Sequence, residues 1–314
     1  MISKSELLET HRRIQPFIQK TPVLQSSQIN KMAGCDIFFK AEHLQTIGAF
    51  KIRGAANAIH KLDNEQTQFG VTTHSSGNHA QAVAKMAQLC KLKAYIVMPE
   101  TAPKVKVNAV KGYGAEITFC APTLADREKT MKKIQEKTGA CYIPPYDHED
   151  VIAGQATAAM ELLEEHQTLD YLITPVGGGG LLAGTSLAAH YFSNNCLVIG
   201  AEPEGANDAF QSFNCGKLVP SINPNTIADG LLTSLGVQNF NYIKQRVSNI
   251  LCVSDNEIVE AMYLVYERMK QVIEPSSATA LALVLKHPEK FAGKQVGIII
   301  SGGNVDLGKL PFGK

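Results

Sequence analysis

Several common signals are missing from this sequence, and each absence removes a class of function. Charge of one sign is not in excess: 30 Lys and Arg stand against 29 Asp and Glu, a formal net charge of +1, with the two signs interspersed. No basic stripe is available for nucleic acid or for an anionic membrane surface. The seven cysteines (Cys35, Cys90, Cys120, Cys141, Cys196, Cys215 and Cys252) are odd in number and never form C-x-x-C. They indicate neither a disulfide framework nor a zinc site, and they fit a reducing compartment. No apolar run reaches transmembrane length, and the start, Met1-Ile2-Ser3-Lys4-Ser5-Glu6, lacks the apolar stretch of a signal peptide. Low-complexity segments and short repeats are absent too. The expectation is a cytoplasmic protein with no nucleic-acid or membrane partner.

What is present is ordinary globular material. The 314 residues are 45% hydrophobic and 19% charged, enough for two domains or one large α/β unit with a substantial core. A helix is expected over 5–18, with Pro16 able to end it early, then an extended step at Thr21-Pro22 and a strand over 36–40. A helix over 52–62 follows. Strands over 71–73, 94–98, 116–119 and 140–143 then alternate with helices over 78–89, 103–110 and 123–137. Pro144-Pro145 reads as a boundary. A second series has a helix over 151–165, strands over 171–176, 197–201, 250–253 and 296–300, and a helix over 181–191. Ser254 and Glu257 have the spacing of a capping box. Alternation of this kind means α/β with parallel sheets and ligand loops at the carboxyl ends of strands.

Three of those loops change how a fourth is read. Gly177, Gly178, Gly179 and Gly180 follow a strand and open a helix. Residues without Cβ let consecutive N–H groups converge on one anion, which favours a phosphate cradle over a flexible turn. The run is neither a dinucleotide G-x-G-x-x-G nor a P-loop. Ser75-Ser76-Gly77-Asn78-His79 also joins a strand to a helix and can hold a carboxylate while capping that helix. Ser301, in Ser301-Gly302-Gly303-Asn304, ends the last strand, where a hydroxyl can face a ligand. Lys51, in Gly48-Ala49-Phe50-Lys51-Ile52-Arg53-Gly54-Ala55, would alone read as a solvated surface charge. Beside the other three loops it reads as the amine that holds the aldehyde of a phosphorylated ring.

These loops, with Val151-Ile152-Ala153-Gly154-Gln155 and Glu274-Pro275, resemble the fold-type-II pyridoxal-phosphate family over essentially the whole chain, in the serine racemase and serine/threonine dehydratase branch. The resemblance implies two open twisted parallel-sheet domains, tryptophan synthase β-like, with the active site between them. It places 1–65 and 148–314 in a large cofactor-binding domain and 66–147 in a small domain that closes over the substrate. It implies that Lys51 bonds the cofactor and serves as acid/base on one ring face, with Ser76 supplying the proton on the other. Phe50 would pack on the ring, Asn78 would meet its 3-oxygen, and Ser301 its nitrogen. Gly177, Gly178, Gly179, Gly180 and Leu181 would hold the phosphate, and Glu274 belongs to the same cofactor site. Ser75, Ser76, Gly77, Asn78 and His79 would bind the substrate carboxylate, with Ser234 as a further substrate contact. A neutral Ser301 does not keep the ring nitrogen protonated as a carboxylate would, which suits rapid loss of a β-hydroxyl.

Glu202, the Ala206 carbonyl and Asp208 have a spacing that can hold Mg²⁺ or Ca²⁺, although acidic residues after a strand are usually solvated. The racemases place a divalent cation here. The family also implies a homodimer. Two departures stand out: Ala49 replaces a serine common before Phe-Lys, and Ala80 a glycine common after the histidine. Together with Ile143-Pro144-Pro145-Tyr146-Asp147-His148, the Lys51 loop resembles threo-3-hydroxyaspartate ammonia-lyases. The leading expectation is an ammonia-lyase converting L-serine, L-threonine or threo-3-hydroxyaspartate to a 2-oxo acid and ammonia. The alternative is a racemase with elimination as a side activity. A β-replacement synthase is disfavoured because the asparagine-rich substrate loop of those enzymes is absent, and intact Lys51 argues against a catalytically dead binding protein. His148 is the candidate for a second substrate carboxylate. No regulatory domain is expected after Lys314.

Overall fold

The computed structural model describes residues 1–312. Its strands are β1 (Val23–Leu24), β2 (Asp36–Ala41), β3 (Val71–His74), β4 (Ala94–Pro99), β5 (Glu116–Cys120), β6 (Cys141–Tyr142), β7 (Tyr171–Pro175), β8 (Leu197–Pro203), β9 (Asn249–Val253) and β10 (Gln295–Ile300). The helices begin with α1 (Lys4–Ile14), α2 (Ser27–Ala33), α3 (Lys51–His60), α4 (Asn64–Thr67), α5 (Asn78–Leu89), α6 (Lys104–Gly112) and α7 (Leu124–Thr138). They continue with α8 (Glu149–Glu165), α9 (Gly180–Phe192), α10 (Asp208–Cys215), α11 (Val237–Arg246), α12 (Asp255–Leu264), α13 (Pro275–Lys286) and α14 (Pro288–Phe291).

Two sheets form, with strand orders β1-β2-β10-β7-β8-β9 and β5-β4-β3-β6. Every pairing within them is parallel except β1 with β2, where Val23 faces Lys40 and Leu24 faces Phe39. The two parallel-sheet domains are as expected, and the short antiparallel edge strand is a common way to finish a parallel sheet. β10 is buried along Val296–Ile300 because it lies between β2 and β7 with helices on both faces, as its unbroken apolar run requires.

Helix ends follow local chemistry. α1 stops at Ile14, and Pro16 sits in a 3₁₀ turn (Gln15–Phe17). Thr123 accepts from Asp126 N–H to start α7, and Ser254 and Glu257 form the expected capping box. α3 lies against both α5 and α8. The α3–α8 contact depends on small residues, since a Cβ at Gly154 would collide with the Arg53 carbonyl and one at Gly54 with the Gln155 amide.

Each sheet has one point where its connections reverse direction. In the larger sheet β8 and β9 extend one way from β7, and β10 returns to its other side. In the smaller, β4 and β5 extend one way from β3, and β6 returns to its other side. Crevices open at the carboxyl ends of strands at such points. The loops after β7, β10, β3 and β6 are therefore the ones placed to build a site.

Candidate active site

One pocket gathers those loops. Phe50, Lys51, Ser75, Ser76, Gly77, Asn78, His79, Gly177, Gly178, Gly179, Gly180, Leu181, Glu274 and Ser301 all line it. The sequence-selected residues come together with three exceptions. Ser234 opens instead onto a neighbouring hollow, where its Oγ accepts from Ser221 N–H at 3.1 Å, and Thr233 takes the place in the main pocket. His148 is not at the pocket: it starts α8, its Nδ1 accepting from Asp150 N–H at 3.2 Å. The Glu202, Ala206 and Asp208 group also lies elsewhere, at the end of β8.

Lys51 begins α3 with its side chain partly exposed to the cleft. Its Nζ donates to the Pro145 carbonyl at 2.8 Å and lies 5.3 Å from the Phe50 ring centroid and 5.9 Å from that of Tyr146. Burial lowers its pKa to about 8, against a smaller opposing pull from Glu274. An amine so tuned is partly neutral near neutral pH and available as a nucleophile. Ala49, just before it, is buried and pairs with Gly302 in an isolated bridge, which ties the Lys51 loop to the end of β10.

The glycine run presents backbone N–H groups to the pocket. Gly179 has φ +90°, a Cβ at Gly177 would lie 2.9 Å from Leu231 Cα, and a Cβ at Gly178 would enter the Tyr146 ring. Among the described residues, no acceptor meets the backbone N–H groups of 177–181 at the start of α9. Unfilled donors at a helix N-terminus fit a phosphate. The run is held from behind, since Asn239 Nδ2 and Gly236 N–H both donate to the Gly178 carbonyl.

Opposite the cradle, Asn78 Nδ2 donates to Glu274 Oε1 at 2.7 Å, and Asn78 Oδ1 accepts from Asn304 Nδ2 at 2.9 Å. Burial pushes Glu274 up, Lys106 pulls it back, and its Oε2 is buried with no hydrogen bond. Ser301 and Ser277 place their Oγ atoms 3.0 Å apart, and Ser277 Oγ donates to the Gly302 carbonyl. The set of a partly neutral amine, backbone N–H donors at a helix start, an amide and a neutral hydroxyl fits pyridoxal phosphate.

Sequence reasoning missed several members of the pocket. Lys106, on α6, reaches Asp229 Oδ2 at 2.6 Å and lies 3.7 Å from Glu274 Oε2, joining α6 beside the smaller sheet to loops of the larger. Tyr146 contributes its ring, with its hydroxyl 2.9 Å from Thr233 Oγ1. His74 and Arg127 also line the pocket. The Pro144-Pro145 pair signalled a loop, but nothing local marked Lys106 or Arg127 among so many lysines and arginines.

At the β8 end, Glu202 accepts from Ala209 and Phe210 N–H at 2.9 and 2.7 Å, and Asp208 Oδ2 accepts from Leu235 N–H at 2.8 Å. Burial raises both carboxylates, Glu202 well above its usual range, and Asp208 Oδ1 has no partner. No group of three or more His, Cys, Asp or Glu side chains able to hold a metal occurs among the described residues. No helix there is long and apolar enough to cross a membrane.

A family model described as pyridoxal-phosphate dependent enzyme matches residues 14–302. The chain is 47% identical over 307 residues to a β-hydroxyaspartate dehydratase of Paracoccus denitrificans, covering 98% of each. It is 49% identical over 303 residues to an L-threo-3-hydroxyaspartate ammonia-lyase of Saccharomyces cerevisiae, covering 96% of this chain and 93% of that one. The crystal structure of serine racemase from Dictyostelium discoideum superposes with a TM-score of 0.92 at 49% identity, covering 98% of this chain and 99% of that one.

Proposed function

The chain belongs to the pyridoxal-phosphate-dependent enzymes, in the serine/threonine dehydratase and racemase branch, and on that premise we propose that it racemises serine or a related amino acid and also eliminates β-hydroxyl groups. Racemisation moves ahead of the ammonia-lyase reading because serine racemases recur among the relatives in both sequence and structure. The observation that carries the proposal is a partly neutral Lys51 and the Ser76 hydroxyl lining one pocket from different elements.

When bound, pyridoxal phosphate supplies an electron sink that acidifies the substrate Cα–H. The N–H groups of 177–181 would hold its phosphate, Phe50 would pack on its ring, and Asn78 and Ser301 would meet the 3-oxygen and the ring nitrogen. Glu274 orients Asn78. The 75–79 loop and its helix N-terminus take the substrate carboxylate. Lys51 Nζ takes the proton from Cα, and Ser76 Oγ returns one from the opposite side in racemisation. In elimination the proton taken by Lys51 can be passed to the β-hydroxyl, which leaves as water when its Cβ–O bond breaks, so one site serves both.

A second reading, threo-3-hydroxyaspartate as substrate, is favoured by Arg127. It lines the pocket, and its Nε makes only a 3.4 Å contact to the Thr123 carbonyl. It can meet a second carboxylate. Residues 66–147, which carry the smaller sheet, are proposed to close on 1–65 and 148–314 as substrate binds. The proposal extends to a homodimer in the cytoplasm and to Mg²⁺ or Ca²⁺ at Glu202, the Ala206 carbonyl and Asp208, supported by two buried carboxylates and an unpartnered oxygen. The test is a chiral amino-acid and keto-acid assay on L-serine, D-serine, L-threonine and threo-3-hydroxyaspartate. Absence of D-serine from L-serine would refute racemisation, and absence of any keto acid would refute elimination.

A further inference from the structure

We propose that His74 is a specificity-determining residue: a neutral Nδ1–H donor, held in that tautomer by Tyr142, that meets the acceptor group on the substrate's β-carbon. It rests on the amino-acid chemistry proposed above and adds the group that selects the substrate side chain.

His74 ends β3, and the pairing of Thr72 with Tyr142 puts His74 and Tyr142 on one face of the smaller sheet. Tyr142 packs there with Val97 and with Met131 and Ile134 of α7. Its hydroxyl lies 2.9 Å from His74 Nε2, with the two rings only 15° from parallel. Burial pushes the phenol pKa well up, so Tyr142 is protonated. No other acceptor among the described residues meets its O–H, and on that ground we take Tyr142 as the donor to Nε2, which places the imidazole proton on Nδ1. That N–H is buried, has no acceptor, and belongs to a side chain that lines the pocket.

His79 makes the contrast clear. Its Nε2 is 3.1 Å from the Ile143 carbonyl, which can only accept, so its proton is on Nε2 and its Nδ1 carries a lone pair. Two buried histidines thus present opposite chemistry to one pocket. Burial, helped by the Arg127 charge, lowers His74 to about 4, so it donates a hydrogen bond at neutral pH without becoming an acid. The substrate carboxylate is already met by the 75–79 loop and the Cα–H by Lys51. What remains is the β-oxygen and, in 3-hydroxyaspartate, a carboxylate. Lys106 is paired with Asp229, and Tyr146 with Thr233, so His74 and Arg127 are the lining donors least engaged by protein partners.

The first experiment is ¹⁵N-histidine NMR of the holoenzyme, with His74 assigned from the H74N spectrum. The Nδ1–H tautomer is expected in the wild type and its loss or mixing in Y142F; an Nε2–H tautomer in the wild type overturns the proposal whatever the enzyme's activity. The second is kcat/KM for threo-3-hydroxyaspartate and L-serine in H74N, which keeps a donor near Nδ1, and in H74L, which keeps none. H74L should lose on the order of tenfold more on 3-hydroxyaspartate than on serine, with H74N recovering most of the difference. Equal losses on both substrates, or no recovery by H74N over H74L, would overturn the role in specificity. Unchanged cofactor absorbance and melting temperature are expected in both variants. A shared loss of either would mark His74 as structural and also overturn it.

Discussion

Lys51, partly exposed to the cleft, and Arg53, wholly buried, stand two residues apart on α3, and their proton affinities move in opposite directions. Lys51 meets a carbonyl and two aromatic faces, has only the attraction of Glu274 to offset burial, and falls to about 8. Arg53 is wholly buried but donates to both oxygens of Glu42 and of Glu161 at 2.7–2.8 Å. Lys40 completes the group, with its Nζ 2.7 Å from Glu161 Oε2 and from the Thr21 carbonyl. Burial alone would lower Arg53 too, but the carboxylates more than offset it and hold its pKa raised. Burial therefore does not decide charge; partners do. One helix carries a reactive amine at its tip and, two residues on, a locked ion cluster.

Removing each residue should break the comparison in a different way. Lys51→Ala should cut turnover by about 10⁴-fold or more and abolish the visible absorbance of covalently held cofactor. An unchanged spectrum would sink the anchor assignment. Arg53→Met leaves two buried carboxylates short of a partner and should destabilise by about 3–5 kcal/mol in urea unfolding. A loss below about 1 kcal/mol would mean that the cluster is not the clamp. Ser76→Ala, which spares both charges, should lower racemisation by about a hundredfold and elimination of an L-substrate far less. Equal losses would contradict the two-sided site.

The pH dependence sharpens the contrast further. Lys51 binds its proton more weakly folded than unfolded, so the unfolded chain holds more protons between about pH 8 and its ordinary value near 10.5. The cost of burying its charge is full below pH 8 and fades as pH rises through that window, so apoprotein stability should rise there relative to Lys51→Met. Cofactor loading should also quicken as pH rises through about 8, and a flat loading rate from pH 7 to 9 would contradict a tuned amine. Arg53 contributes no slope in this range, since its folded pKa is raised above an already high value. The smallest effect is expected from EDTA, a loss of a few degrees in melting temperature restored by Mg²⁺ through linkage. No change in melting temperature or activity would count against the cation at Glu202 and Asp208.

Much of the site was legible because its chemistry demands unusual local sequence. A cradle of free N–H groups needs residues without Cβ, so Gly177, Gly178, Gly179 and Gly180 announce it. A strand covered on both faces needs an unbroken apolar run, so β10 announces itself. The capping box at Ser254 and Glu257 was equally plain. Ser234 and His148 were misplaced for one reason: a residue in a loop can turn either way, and neighbouring groups decide. Thr233 faces Tyr146, whereas Ser234 is held by the Ser221 N–H. The Arg53 cluster joins β2, the 3₁₀ turn after it, α3 and α8, with Arg53 and Glu161 alone 108 residues apart, and no local pattern shows it.

The Lys51 loop, the glycine run, the 75–79 loop and the alternation of strands and helices were determined by sequence alone, because each depends on backbone geometry or on periodic burial. Tertiary structure alone decided the state of each titratable group. It placed Lys51 against Pro145, locked Arg53 between two carboxylates, and set His74 Nε2 beside a phenol hydroxyl but His79 Nε2 beside a carbonyl. Proton affinity depends on the nearest few ångströms, and those are filled by residues far apart in the chain.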